Sequence, residues 1–257
     1  MKLSVAFDFL PRRRSVGVGM VMDHFGLEDG QGRHVIAEAV ELPLEPGDLV
    51  LFTGPSGSGK SSLLRAAEAE LTRTGSVTRW LDRLALPPVP LVDALPGNLV
   101  PNLNLLAACG LGEARLLLRA PDELSEGQRY RFRLALGWAE LLHASEPGPR
   151  WLVADEFSAT LDRTLAKVIG YNVRRLARCR QAGLLLATTH DDVIDDLDPD
   201  LLVRCDLDGR IEVSRPRQGA RPISFFANAG AARAPRPTGR TSLGGIIAAP
   251  TSPWSSE

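Results

Sequence analysis

Three short groups of residues have the types and spacing to do phosphate chemistry. The first is Gly54-Pro55-Ser56-Gly57-Ser58-Gly59-Lys60-Ser61, followed by Ser62. It matches G-x4-G-K-[ST], in which glycines let successive backbone N–H groups turn towards phosphate oxygens. Lys60 would reach the β- and γ-phosphates as a point charge, and Ser61 would place its hydroxyl on Mg²⁺. A Gly/Ser turn capping a helix is the plain alternative. The scarcity of lysine weighs against it: 27 of the 30 basic residues are Arg, so Lys60 is one of only three lysines retained.

The second group is Asp155-Glu156, directly after the apolar run 151–154. Carboxylates at the carboxyl end of a buried strand stand where open α/β sheets bind ligands. Asp155 would hold Mg²⁺. Glu156 would accept a proton from water attacking the γ-phosphorus, a contribution of ~10²–10⁴ in rate for a general base. The third group, Leu124-Ser125-Glu126-Gly127-Gln128, reads on its own as a helix N-cap. A nucleotide phosphate with Mg²⁺ is the ligand that these residue types imply. A phosphate loop by itself leaves open a kinase, a GTPase, a helicase or a transport ATPase.

These groups need a scaffold, and the apolar pattern supplies one. Residues 49–53 (LVLFT) read as a buried central strand ending at Gly54, and 61–73 as a helix with Leu63, Leu64, Ala67 and Leu71 on one face. Residues 3–9 and 36–42 read as edge or half-buried strands. The five prolines in 86–104 argue against a long helix there, and 105–119 reads as two short helical pieces broken at Gly110 and Gly112. A helix starts beside Ser125 and runs to about His143 with Leu134, Trp138, Leu141 and Leu142 inward. Strand 151–154 precedes a helix over 163–181 with Leu165, Val168, Ile169, Val173 and Leu176 inward. Strand 183–189, a short acidic helix at 191–197 and two late strands at 201–206 and 210–214 follow. Repeated strand–helix–strand units with all-apolar strands predict an α/β fold with a mainly parallel sheet covered on both faces.

Order and spacing tie the three groups together. A phosphate loop, then LSEGQ, then four apolar residues and Asp-Glu closely resembles the ATP-binding-cassette (ABC) ATPases, whose signature is LSGGQ. Residues 155–162 (DEFSATLD) line up with the family's DEPTSALD, and Thr188-Thr189-His190 with its switch histidine. The resemblance covers roughly residues 36–210. It implies a P-loop NTPase fold with antiparallel N-terminal strands and a reduced helical insertion. It also implies phosphate contacts from Ser125, Gly127 and Gln128, a D-loop ending at Asp162, and catalytic roles for Glu156, His190 and Lys60. Finally, it implies ATP hydrolysis by a head-to-tail homodimer in which one chain's signature closes ATP on the other chain's phosphate loop, driving an unidentified protein partner. Small-molecule kinases carry no LSxGQ, and a non-hydrolysing switch would have no use for Asp155, Glu156 and His190.

Within the family, LSEGQRYRFR, DEFSATLD and ATTHDD look most like soluble bacterial ABC ATPases, some of which are joined to a predicted acetyltransferase domain. The alternative is the nucleotide-binding subunit of a membrane transporter. Such subunits carry a Q-loop glutamine, and none of Gln31, Gln128, Gln181 and Gln218 falls between Lys60 and Ser125. Asp93 and Asn98 are candidates for its metal contact, and Phe25 for the adenine stack. His24, His34 and His143 read as solvated or structural.

Composition bounds the rest. Thirty basic against 31 acidic residues argue against a chain built to coat nucleic acid. Three widely spaced cysteines give neither a disulfide framework nor a thiolate zinc site, which favours a cytoplasmic setting. The apolar run 15–22 is too short to span a membrane. The near-neutral total divides unevenly. Residues 213–257 hold six arginines against Glu257 alone, a charge of +5, leaving −6 on 1–212. The reading is therefore an ATPase domain at 1–212 and a disordered basic Pro/Gly/Ala-rich tail at 213–257. Any nucleic-acid contact would fall to that tail.

Overall fold

The computed structural model describes residues 1–8, 15–27 and 33–216. Strand β1 (Lys2–Asp8), helix α1 (Val16–Phe25) and strand β2 (Arg33–Glu41) come first, and β1 and β2 pair antiparallel as a separate two-stranded sheet. Strand β3 (Leu49–Thr53) leads through the glycine loop into helix α2 (Lys60–Arg73) and strand β4 (Val77–Trp80). Three short helices follow, α3 (Leu91–Ala94), α4 (Leu99–Ala108) and α5 (Ala114–Leu117), and then the long α6 (Glu126–Leu142). Strand β5 (Arg150–Ala154), helix α7 (Arg163–Arg180), strand β6 (Gly183–Thr188), helix α8 (Ile194–Leu197), and strands β7 (Leu201–Cys205) and β8 (Ile211–Ser214) complete the described chain.

The main sheet has six strands in the order β4-β5-β6-β3-β7-β8, parallel throughout except where β8 turns back along β7. Every residue of β3 and β6 is buried, as expected of strands covered on both faces. Side chains alternate between two cores. Leu49 and Leu51 join Leu152, Leu184 and Leu186 under α4, α6 and α7, while Val50 and Phe52 join Val153, Leu185 and Val203 under α2 and the two-stranded sheet.

The short elements between β4 and α6 form the reduced insertion. Helix α4 begins at Leu99, inside the segment whose prolines argued against helix, and not at 105. Pro101 is its third residue, in the first turn, where backbone N–H groups have no intrahelical partner and proline is tolerated. On α7 the inward face is Ala166, Ile169, Gly170, Val173, Leu176 and Ala177, with Leu165 half-buried, and Val168 points out. Val168 lies about 100° round the helix from Ile169, so it falls off the stripe. Strand β8 carries Val213 and Ser214, which composition assigned to the tail, and Arg215 donates to the Pro43 carbonyl. The remainder of the tail, from 217, lies outside the described residues.

Basic residues of α7 pair with acids on the segment after β6. Arg163 meets Asp192 at 3.2 Å, Lys167 meets Asp196 at 3.9 Å, and Arg178 meets Asp198 at 2.9 Å. Deepest of these, Arg174 grips Asp200 with two hydrogen bonds of 2.6 and 2.7 Å, and Asp200 also accepts the Leu49 N–H. Burial alone would raise the Asp200 pKa, but those donors outweigh it and hold the carboxyl below its usual range. Among the described residues no helix is long and apolar enough to cross a membrane.

Candidate functional site

A cleft of about 420 Å³ opens at the carboxyl ends of β3, β5 and β6, lined by residues 56–62, Asp155, Glu156, Thr188 and Thr189, with Phe7, His34, Val35 and Ile36 on the wall facing the two-stranded sheet. Its floor is the loop 54–59. Gly54 has φ +137°, and a Cβ there would stand 2.0 Å from the Cys205 carbonyl oxygen of β7. Gly59 has φ +88°, and its Cβ would stand 2.3 Å from Ile36 of β2. Both positions combine a left-handed backbone with close neighbours, so glycine is required.

The loop brings Lys60 back over itself, with Nζ donating to the Pro55 carbonyl at 2.6 Å. Burial lowers the pKa of this ammonium, while Cys205, Asp155 and Glu156 act to raise it. Ser61 Oγ donates to Asp155 Oδ1 at 3.0 Å, so the hydroxyl and carboxylate proposed for a metal converge across 94 residues of sequence. Asp155 Oδ1 also accepts the Glu156 N–H. Glu156 (φ +50°) and Ser158 (φ +64°) are both left-handed, a costly conformation for residues with a Cβ that marks a constrained turn. It leaves the Glu156 side chain exposed at the cleft while the next residue, Phe157, is fully buried.

Ser58 Oγ is buried within the loop, close behind Gly54, and has no hydrogen-bond partner there. Among the described residues no group of three or more His, Cys, Asp or Glu could hold a metal. Ser61 and Asp155 alone suit Mg²⁺, which typically takes one or two protein ligands and completes its shell with water and substrate phosphates.

The remaining expected residues lie elsewhere. Ser125, Gly127 and Gln128 do not line the cleft. Ser125 Oγ accepts the Gln128 N–H at 3.3 Å and Gln128 Oε1 accepts the Ser125 N–H at 3.0 Å, a capping box that starts α6. Directly behind it, Gly127 packs so closely that an added Cβ would be 3.1 Å from the Thr160 carbonyl. Tyr130 Oη accepts the Ser158 N–H at 3.1 Å, and its ring meets Phe157 edge-on at 6.4 Å. The start of α6 is thus fastened to the loop that carries Glu156. Asp162 caps α7, accepting the Leu165 N–H at 2.9 Å. His190 follows the cleft residues Thr188 and Thr189, its N–H donated to Thr188 Oγ1, but its ring is held by Arg163 and is not part of the lining.

Three expectations change. Phe25, the candidate for the adenine stack, is 70% exposed and is not among the residues that line the cleft. Asp93 on α3 and Asn98 before α4 do not reach the cleft either. His34, read as solvated or structural, lines the cleft with Phe7, their rings 5.3 Å apart and tilted by 51°. Sequence gave no sign of this pair, because β1–β2 pairing sets it opposite across a 26-residue connection.

Among curated proteins, the chain is similar to the lipoprotein-releasing system ATP-binding protein LolD of Maricaulis maris, 31% identical over 222 residues that cover 69% of this chain and 93% of that protein. It is also similar to the hemin import ATP-binding protein HmuV of Myxococcus xanthus, 29% identical over 67% of this chain and 76% of that protein. The fold matches the solved structure of the ABC transporter cassette MJ0796 with ADP and phosphate bound, with a TM-score of 0.56, 20% identity, and 74% of this chain and 94% of that one covered. No protein-family model matches the chain.

Proposed function

This chain belongs to the ATP-binding-cassette ATPases, and we propose that its cleft binds ATP with Mg²⁺ and that two copies, arranged head to tail, hydrolyse it. One observation carries the reading: Lys60, the Ser61–Asp155 pair at 3.0 Å and Glu156 meet in one cleft at the strand ends. Backbone N–H groups of Gly57, Ser58 and Gly59 would cradle the phosphates together with the α2 N-terminus, and Lys60 would exchange its Pro55 carbonyl for phosphate oxygens. Ser61 and Asp155 would hold Mg²⁺, whose charge offsets that building on the phosphates. Glu156 would take the proton of the attacking water, and the neighbouring imidazole of His190 would donate to the γ-phosphate. Phe7 and His34, which line the cleft, would bound the base. Ser125, Gly127 and Gln128 would serve the ATP of the second copy, and Asp162 would lie at the same junction. Because only an intact γ-phosphate touches both copies, ATP would favour closure and hydrolysis opening.

The test is phosphate release measured together with dimerisation. Glu156→Gln should trap an ATP-bound dimer with little turnover, Lys60→Ala should bind nucleotide poorly, and Ser125→Arg should fail to dimerise. Monomers with full turnover in all three would overturn the reading. The names of the relatives favour a second reading, the ATP-binding subunit of a membrane transporter. The absence of glutamine between Lys60 and Ser125 favours a cytoplasmic ATPase that acts on a protein partner. Co-purification with a membrane protein that raises turnover would decide for the transporter.

A further inference from the structure

We infer that Arg163 is a positioning residue for His190, fixing which ring nitrogen carries the proton. Arg163 is the first residue of α7, directly after Asp162. Its Nη2 lies 2.8 Å from His190 Nδ1. A guanidinium has donors and no acceptor, so Nδ1 must accept, and the neutral ring carries its proton on Nε2. That is the nitrogen left free to donate to an anionic oxygen. With the proton on Nδ1, a neutral ring would present a lone pair from Nε2 to the phosphate and repel it.

The anchor is held from behind. Asp192 Oδ1 lies 3.2 Å from the other terminal nitrogen of Arg163, Nη1, so the guanidinium bridges the imidazole and a carboxylate two residues further along the same segment. Lys167 and Asp196 repeat the link one turn on along both elements. Because Arg163 adjoins Asp162, any movement of the loop 155–162 is carried to the histidine through the first turn of α7.

The inference rests on the role proposed for His190, and the experiment separates the two. Imidazole ¹⁵N spectra of the full chain without nucleotide, with His190 assigned from the signals lost in His190→Ala, should show protonated Nε2 in the wild type and in Arg163→Lys. Arg163→Ala should give a mixture of both tautomers. Turnover should fall about tenfold in Arg163→Ala at unchanged KM, the lower end of the loss when a metal-bound histidine loses its orienting partner, and Arg163→Lys should recover most of it. A wild-type ring protonated on Nδ1, or a spectrum unchanged in Arg163→Ala, would overturn the inference and leave the ATPase reading intact. Full turnover in His190→Ala would overturn it from the other side, by removing the histidine from the reaction.

Discussion

The cleft floor and the start of α6 are built from similar residues, glycines and serines at a helix N-terminus, yet they differ in what they leave unsatisfied. In the cleft, Ser58 Oγ is buried without a partner, Lys60 falls back on a carbonyl of its own loop, and Ser61 and Asp155 bond each other where a metal would fit. At the start of α6, Ser125 and Gln128 cap each other's backbone N–H, and Ser125 is exposed, away from the cleft. The first region gathers an ammonium, a hydroxyl and two carboxylates in one cleft. The other is a finished helix end that can only gain a ligand when something is brought to it. On the proposed function the chain would hold one half of each of two sites, with Tyr130 and Gly127 joining the halves from behind.

Substitutions can break this contrast in order of size. Glu156→Gln should lower turnover by ~10²–10⁴ with ATP affinity retained, since it removes only a base. Phosphate release and equilibrium nucleotide binding check this. Ser125→Arg should lower turnover by ~10² or more, because it removes a donor aimed at developing charge and also blocks closure of the dimer. It should leave ATP binding to the isolated chain unchanged, because Ser125 is outside the cleft. Loss of binding in the monomer would contradict the division. Gly54→Ala should destabilise the fold by about 3 kcal/mol, as a Cβ would collide with the β7 backbone in a strained conformation. Gly127→Ala should cost less than ~1 kcal/mol, because its helical backbone gains from alanine what the tight contact with Thr160 loses. Chemical denaturation of both variants checks the difference. Tyr130→Phe should cost ~1 kcal/mol by leaving the Ser158 N–H unpaired. Its turnover should fall while nucleotide affinity holds, since the loop it fastens carries Glu156.

What could be read from sequence follows the same division. The phosphate loop, Asp155-Glu156 and the capping residues Ser125 and Asp162 are local: a few neighbouring residues fix the backbone and name the chemistry. The Phe7–His34 pair, the Arg163–His190 contact and the Tyr130–Ser158 bond join residues 27, 27 and 28 apart. They depend on strand register and helix phase, which residue types alone do not set. Prolines mislead in one place: the five in 86–104 argue against helix by type, yet Pro101 in the first turn of α4 is compatible with it. Val168 was misassigned for want of phase, since the small residues Ala166, Gly170 and Ala177 define the buried stripe of α7 as much as its large ones do.

The central claim, that one working site is made from two copies, is tested most directly by mixing two dead variants. Lys60→Ala destroys the cleft half and Ser125→Arg the signature half. A mixed dimer would still contain one intact site, formed by the Ser125→Arg chain's cleft and the Lys60→Ala chain's signature. Turnover in the mixture that exceeds the sum of the separate variants is the predicted result. A mixture no more active than that sum, with both variants folded and shown to associate with each other, would contradict the account.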